Sequence, residues 1–180
     1  DEALEVFSRT GFRGGSLREI AKRVGVTPAG LLHHFADKEE LFAEVLRQRD
    51  EKVRQAAGDP AEHTLLAQAR RVVAHNRASR GLTSLYAIVS AEATDSEHPS
   101  HADFAARYRD RATEAEAILR LGQADGEVRD DIDPALAARL ISGVMDGIQL
   151  QWLLDDTVDM VALFDEFVRG YLLPPAEPRR

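Results

Sequence analysis

Apolar residues recur at intervals of three and four along most of the chain, and no segment alternates strictly between apolar and polar residues. The first spacing is that of an amphipathic helix, whereas strict alternation is typical of a β-strand. The pattern therefore predicts an all-α protein with about nine helices. Segments rich in glycine, proline and aspartate separate the helices, as at 58–60, 95–100 and 126–133.

Six of these helices are predicted after the first 37 residues. They cover about 38–57, 61–79, a segment that includes 82–89, 101–124, 134–154 and 159–172. Asp133 followed by Pro134 is the order expected of an N-cap and a first-turn proline, and it predicts where the eighth helix begins. The residues from 174 onward are rich in proline and charge, so we expect them to fray.

Two short helices joined by a tight turn are predicted near the start of the chain. Ser16 opens a capping box of the form S-x-x-E, and Gly25 offers the positive φ that ends the first helix. Thr27 is a suitable N-cap for a second helix, which is predicted over about 28–35. This arrangement is a helix-turn-helix, in which the second helix lies in the major groove of DNA.

The same part of the chain is basic although the whole chain is acidic. Residues 9–38 contain six Lys and Arg and two acidic residues, a net charge of +4, whereas the complete chain carries −8. A local basic segment is what contact with phosphates requires. The alternative is a helical hairpin with a solvated, charged face. Because turn chemistry, caps and charge agree, we favour DNA binding.

Several short motifs follow one another in the first 46 residues. They are ALEVF at 3–7, GF at 11–12, SLREIA at 16–21, VGVT at 24–27, LLHHF at 31–35 and DKEEL at 37–41. In this order they resemble the DNA-binding domain of the TetR family of bacterial transcriptional regulators. Leu32 and His34 stand where this family commonly has tyrosines, one of which often reaches a phosphate. His34 can donate a hydrogen bond there, whereas Leu32 cannot.

The resemblance extends more loosely into the rest of the chain, where 122–129 and 146–154 resemble the C-terminal domains of one large TetR subgroup. We therefore expect three regions. They are a helix-turn-helix DNA-binding domain over 1–46, a ligand-binding and dimerisation domain over 47–173, and a flexible tail over 174–180. The chain opens inside a helical pattern, so we expect the first helix to be truncated at its front, without the basic arm that some relatives have.

Nine residues are predicted to contact operator DNA. Thr27, Ala29, Gly30 and His33 are expected to face the groove floor, and Ser16, Arg18, His34 and Lys38 are expected to face phosphates. The ninth residue is Pro28, at the start of the second helix. Small residues at the start of the second helix would let it lie close to the bases, so specificity would come from few side chains together with DNA shape.

The last two helices are more apolar than the surface of a monomer requires, with apolar residues on more than one face. We predict a homodimer whose interface is a four-helix arrangement of these helices. Its predicted residues are Leu140, Gly143, Val144, Gly147, Ile148, Phe164, Phe167 and Val168. Such a dimer would place two heads about 34–36 Å apart, to match successive major grooves. The alternative is a deep core within one chain.

The helical body offers aromatic and methionine side chains that suit an apolar small molecule. The predicted ligand-binding residues are Tyr86, Phe104, Tyr108, Met145, Gln149 and Trp152. The alternative is that these residues are ordinary core residues. The effector is unknown, and the acidic body favours a neutral or cationic one.

Enzyme motifs are absent from the sequence. There is no G-x-S-x-G, Walker loop, G-x-G-x-x-G or cysteine. His98 and His101 are three residues apart, but we expect them to lie in a loop without a third ligand for a metal. We therefore expect no catalysis, no cofactor, no metal site, no membrane partner and a cytoplasmic location. The sequence predicts a transcriptional regulator, a repressor released from its operator by a small-molecule effector. The alternative is an all-helical small-molecule-binding or oligomeric protein that uses its helix-turn-helix for protein interaction.

Overall fold

The computed structural model describes residues 2–58 and 65–175, and every regular element in these ranges is helical. The prediction of an all-α fold with about nine helices is therefore confirmed. The helices are α1 Glu2–Gly14, α2 Leu17–Val24, α3 Pro28–Leu32, α4 Lys38–Ala57, α5 Leu65–Ala78, α6 Arg80–Glu92, α7 His101–Ala124, α8 Pro134–Leu154 and α9 Met160–Phe167, followed by a π-helical turn, Val168–Leu172. None of the described helices combines the length and apolar character that a bilayer-spanning helix needs.

The chain divides into two compact units, each built from two separate segments. The first unit comprises the described residues up to Gln55 together with Asn76–Phe104, and so contains α1–α4 and α6. The second comprises Ala56–His75, as far as described, and the residues from Ala105 onward. This division differs from the expected boundary at residue 46, because α6, from the middle of the chain, packs against α1.

Three phenylalanine rings lie at the centre of the first unit. The ring centre of Phe42 lies 4.9 Å from that of Phe7 and 5.0 Å from that of Phe12, in the tilted and edge-on arrangements that aromatic pairs favour. The hydroxyl of Ser84 in α6 donates a hydrogen bond to the carbonyl of Ser8 in α1 at 3.0 Å. Polar and apolar contacts together therefore fix the elements of the first unit.

The core of the second unit is apolar and draws on each of its helices. Val73 of α5, Leu119 of α7 and Met160 of α9 are fully buried there. The carboxylates of Asp133 and Asp159 accept hydrogen bonds from the first backbone N–H groups of α8 and α9. The predicted start of the eighth helix is thus confirmed.

Two helices end earlier than the sequence predicts. The second helix of the helix-turn-helix ends at Leu32 instead of residue 35. The last helix keeps α geometry to Phe167 and then continues as a π-helical turn. Such a turn covers only five residues, so the spacing of apolar residues does not reveal it. The predicted helical residues 61–64 and the tail from 176 onward lie outside the described residues.

Candidate nucleic-acid interface

The predicted helix-turn-helix is present, and its turn has the expected chemistry. The hydroxyl of Ser16 accepts a hydrogen bond from the N–H of Glu19 at 3.4 Å, and the hydroxyl of Thr27 accepts one from the N–H of Gly30 at 3.0 Å. Between the two helices Gly25 has a φ of +80°, the left-handed region that favours glycine. The chain can therefore leave α2 and enter α3 within three residues.

The second helix is short because its hydrogen bonds converge on one carbonyl. The N–H groups of His34 and Phe35 both donate to the carbonyl of Leu31, at 3.1 and 3.2 Å. The carboxylate of Asp37 then accepts a hydrogen bond from the N–H of Glu40 at 2.8 Å and caps α4. The cap of the next helix begins only a few residues later, so α3 has no room to continue.

The residues predicted to contact DNA lie at the surface of the first unit. Ser16, Arg18, Thr27, Pro28, Ala29, His33 and His34 are exposed, whereas Gly30 and Lys38 are half-buried. We call these nine residues the DNA-facing surface. Six of the nine lie in α3 or within two residues of its ends, and a helix is an element that the major groove can accommodate. Their contact with DNA stays a prediction.

Acidic neighbours engage two of the cations in the basic segment. The guanidinium of Arg23 lies 2.8 Å from the carboxylate of Glu5 and 3.2 Å from that of Glu19. The hydrogen bond from Arg23 holds the pKa of Glu5 below its usual range, and the same bond raises the pKa of Arg23. Arg13 forms an ion pair with Asp95. Both arginines therefore stabilise the first unit internally.

Other cations of the segment remain available to phosphates. Arg18 and Lys22 are exposed and form no ion pair with any residue in the described part of the chain. Lys38 is held in place, since its ammonium donates a hydrogen bond to the carbonyl of Arg13 at 3.3 Å and lies 4.5 Å from the ring centre of Phe12. Lys22 was not among the predicted DNA contacts, although its charge within the basic segment would have suggested it.

Models of two protein families match this chain. Residues 1–45 match the one described as bacterial regulatory proteins, tetR family, and residues 76–173 match the one described as BetI-type transcriptional repressor, C-terminal. The second match alone spans more than half of the chain. The chain belongs to the TetR family of bacterial regulatory proteins. The resemblance seen in the sequence is thereby confirmed.

Full-length similarity to other regulators accompanies the TetR-family match. The HTH-type transcriptional regulator UidR of Escherichia coli K12 is 28% identical over 171 residues, which span 93% of this chain and 84% of UidR. A transcriptional regulator from Saccharomonospora viridis, solved in complex with choline, has a TM-score of 0.79 and 22% identity, and the match covers 97% of this chain and 95% of that one. FadR from Bacillus subtilis, solved in complex with stearoyl-CoA, has a TM-score of 0.75 and 21% identity over 92% and 91% of the two chains. At such identities the structural likeness shows the shared fold.

Two of the predicted ligand-binding residues belong to the first unit of this TetR-family chain. The rings of Tyr86 and Phe104 lie 5.4 Å apart, centre to centre, and both side chains are buried. The guanidinium of Arg49 in α4 lies 4.2 Å from the ring centre of Tyr86, a cation–π contact. Arg49 was not singled out from the sequence, although it follows Val45 and Leu46 at intervals of four and three and so lies on the apolar face of α4.

The other four predicted ligand-binding residues belong to the second unit. They are Tyr108, Met145, Gln149 and Trp152. The hydroxyl of Tyr108 donates a hydrogen bond to the carboxylate of Asp146 at 2.6 Å, and both residues are half-buried. Gln149 and Trp152 are buried on the same helix as Asp146. The second unit thus pairs the hydroxyl of Tyr108 with the carboxylate of Asp146 on a helix that also carries Gln149 and Trp152, and the role of these residues in ligand binding stays a prediction.

The residues predicted at the dimer interface have different surroundings in the second unit. Leu140 and Gly143 are exposed, Val144, Gly147 and Phe167 are half-buried, and Ile148, Phe164 and Val168 are buried within the single chain. Ile148, Phe164 and Val168 belong to the core of the second unit, and their place in a dimer interface stays a prediction. These bulky residues are buried by the packing of α8 and α9 within one chain, so they are covered without a second one.

An exposed apolar face of α8 is a further candidate contact surface. Leu136, Leu140, Leu150 and Leu154 are 63%, 47%, 53% and 81% exposed. Together with Gly143 and Gly147 they follow one another at intervals of three and four, so they share one helix face. We call these six residues the leucine stripe. Leu136, Leu150 and Leu154 were not among the predicted interface residues, although the same spacing would have found them.

Proposed function

We propose that this TetR-family regulator is a repressor that binds operator DNA as a homodimer and leaves it when a small molecule binds. It would act by binding alone, without catalysis, and in the cytoplasm. The observation that carries the proposal is the DNA-facing surface: a capped two-helix motif that presents small and polar atoms beside Arg18 and Lys22, in a chain that is otherwise acidic. Phosphate contacts by these cations would position α3 in the groove.

DNA binding can be tested although the operator sequence is unknown. The purified chain is used to select duplexes from a random-sequence pool of about three helical turns, and the enriched sequence is called the selected operator. A two-fold dimer predicts an inverted repeat whose half-sites lie about 10 bp apart or a multiple of that distance. Enrichment of a single, non-repeated site, or no enrichment, would contradict the proposal.

A homodimer is supported by the leucine stripe. Isolated exposed leucines are common on proteins, but a continuous apolar face along a helix is typical of a contact surface. Gly143 and Gly147 lie at its middle, and apart from their chain neighbours and the adjacent backbone of α8 no described atom comes within 4 Å of where their Cβ atoms would be. A helix of a second chain could therefore approach α8 closely there. Sedimentation at micromolar concentration should give the mass of two chains, and the mass of one chain would refute the interface.

An effector site is supported by the polar groups around Tyr108 in the second unit. The half-buried carboxylate of Asp146 and the hydroxyl of Tyr108 would favour a cationic ligand or one that donates hydrogen bonds. Because Trp152 is the single tryptophan of the chain, its emission reports on this region. A compound panel that includes choline and stearoyl-CoA is screened for release of the selected operator. We expect any releasing compound to change Trp152 emission, and release without that change would place the effector site elsewhere.

The alternative function, a helix-turn-helix used for protein interaction, makes a different prediction about salt. Each contact between the protein and a phosphate releases counterions from the DNA. It makes the slope of log affinity against log salt more negative by about 0.9 for duplex DNA. Several contacts per head therefore predict a steep loss of DNA affinity between about 50 and 200 mM salt. A flat salt dependence would favour the alternative.

A further inference from the structure

Helix α1 is interrupted near its end. Gly11 has φ +67° and ψ −174°, far from helical values, although helical turns stand on both sides of it. A residue with a positive φ inside a helix leaves nearby N–H groups without their usual acceptors. The N–H of Phe12, the residue after the break, donates to the carboxylate of Glu92 at 2.7 Å. Glu92 is the last residue of α6, so a distant element supplies the missing acceptor.

The carboxylate of Glu92 occupies the space that a side chain at position 11 would need. A Cβ built on Gly11 would lie 2.4 Å from Oε1 of Glu92 and 2.8 Å from its Cδ. Real Cβ atoms do not come this close to other heavy atoms. Gly11 therefore serves two needs at once, a positive φ and the close approach of Glu92.

The residues that follow Glu92 hold the same part of α1. His98 is buried, its ring lies edge-on to Phe12 at 5.1 Å between centres, and its Nε2 lies 3.7 Å from the carboxylate of Glu92. Its Nδ1 accepts a hydrogen bond from the N–H of Ser100 at 3.1 Å, which places the ring proton on Nε2, toward Glu92. Asp95 pairs with Arg13.

The segment held in this way leads directly to the DNA-facing surface. Phe12 and Arg13 receive the ammonium of Lys38, which lies over the Phe12 ring and bonds to the Arg13 carbonyl. Gly14 and Gly15 follow, and Ser16 then caps α2. The position of Phe12 therefore influences both Lys38 and the start of the helix-turn-helix.

We propose that Glu92 is a positioning residue for DNA binding: its carboxylate fixes the break in α1 and thereby places Lys38 and the start of α2 for contact with phosphates. This inference rests on the proposed DNA-binding function. It concerns the hydrogen-bond acceptor at Phe12 and not the charge of Glu92. Variants that separate acceptor from charge therefore test it.

The test compares Glu92→Gln, Glu92→Asp and Glu92→Ala on the selected operator, with Glu97→Ala as a matched control. Gln keeps a side-chain oxygen that can reach the N–H of Phe12 but removes the negative charge. Asp keeps the negative charge, but its side chain is one methylene shorter and does not reach that N–H. Glu97 is an exposed acidic residue in the loop that follows α6. Its side chain forms no hydrogen bond or ion pair with another described residue. We expect Gln and Glu97→Ala to bind within about threefold of the unmodified chain. Asp and Ala should lose roughly tenfold, as for a buried N–H group left without an acceptor.

A second measurement tests whether Glu92 affects DNA binding by positioning Lys38. The salt slope of Glu92→Asp should fall by about one unit, as for Lys38→Ala. The double variant Glu92→Asp with Lys38→Ala should lose less affinity than the sum of the single losses, because both remove one contact. Thermal unfolding of each variant confirms that the chain is folded. If Glu92→Ala fails to fold, comparing the operator affinities of Glu92→Gln and Glu92→Asp still tests the inference.

The outcomes separate this inference from the proposed function. If Glu92→Asp binds as tightly as the unmodified chain, with an unchanged salt slope, the inference is wrong while DNA binding stands. A loss for Glu92→Gln as large as that for Glu92→Asp would also overturn it, because it would show that an acceptor at the same reach does not suffice to maintain DNA binding. If the unmodified chain selects no operator, both the function and the inference fail.

Discussion

Gly25 and Gly126 form a matched pair that tests whether the turn of the helix-turn-helix serves DNA binding. Gly25 ends α2 with a φ of +80°, and Gly126 lies in the loop after α7 with a φ of +73°. No described atom lies within 4 Å of the Cβ that either residue would carry. Alanine therefore introduces backbone strain at both positions and no clash at either.

The two substitutions should cost similar amounts of stability. A left-handed conformation costs a residue with a side chain about 1–2 kcal/mol. Part of this is offset, since alanine restricts the unfolded chain by about 0.4–1 kcal/mol relative to glycine. We expect each variant to lose about 1 kcal/mol of stability, measured by urea unfolding. An asparagine at either position should recover part of the loss, because it tolerates left-handed backbone better than alanine does.

Only Gly25→Ala should weaken DNA binding. The part of this strain that relaxes in the free protein, through a change of the angle between α2 and α3, does not lower stability but must be restored on binding. Restoring about 1 kcal/mol of strain corresponds to a roughly 5-fold loss of affinity per head. Fluorescence anisotropy with the selected operator measures this loss, with Gly126→Ala as the control. Unchanged affinity in Gly25→Ala, or an equal loss in Gly126→Ala, would refute the reasoning.

Four further predictions follow from other parts of the two units. Arg18→Ala should lower the salt slope of operator binding by about one unit, because one phosphate contact is lost. Leu150→Glu should convert the dimer to monomers in sedimentation, since it places a charge in the middle of an apolar contact. A releasing compound typically weakens operator affinity by roughly 5- to 150-fold. Tyr108→Phe should reduce this factor, while operator affinity without the compound stays the same. The hydrogen bond from Arg23 lowers the pKa of Glu5 below its ordinary value of 4.5. The ion pair therefore stabilises the first unit above pH 4.5, and this stabilisation is lost as pH falls through the lowered pKa. In Glu5→Gln the free energy of unfolding should fall less steeply with decreasing pH.

The predictions for Arg18 and Leu150 have control variants, and those for Tyr108 and Glu5 have outcomes that would contradict them. Arg120→Ala removes an exposed arginine of α7 and should leave the salt slope unchanged. Leu121→Glu places the same charge at a leucine that is 65% exposed on α7 and should remain dimeric. For Tyr108, a full response in the Phe variant would exclude its hydroxyl from the effector site. For Glu5, identical acid unfolding curves would show that the exposed pair contributes nothing measurable.

Local chemistry made part of this fold predictable from sequence. Caps such as Ser16, Thr27 and Asp133 act on N–H groups two or three residues away, so their pattern is visible in the chain itself. The same holds for Gly25, whose positive φ ends α2. The helix-turn-helix and the start of α8 therefore lie where local pattern predicts them.

Contacts between distant segments were not predictable in this way. Glu92 meets the N–H of Phe12 across 80 positions of the chain, and no local spacing indicates that pair. Similarly, apolar periodicity shows that α8 and α9 have apolar faces but not which face packs inward. For this reason Ile148 and Phe164 were assigned to an interface although they lie in the core, and Leu150 was missed although it is exposed.

Hydrogen exchange of the full chain, with and without the selected operator, tests the central claim most directly. If the DNA-facing surface binds the duplex, backbone amides between 16 and 38 should exchange more slowly in the complex. Amides of α7, which contributes nothing to that surface, should keep their exchange rates. Protection confined to segments outside 16–38, or no protection at saturating duplex, would contradict the account.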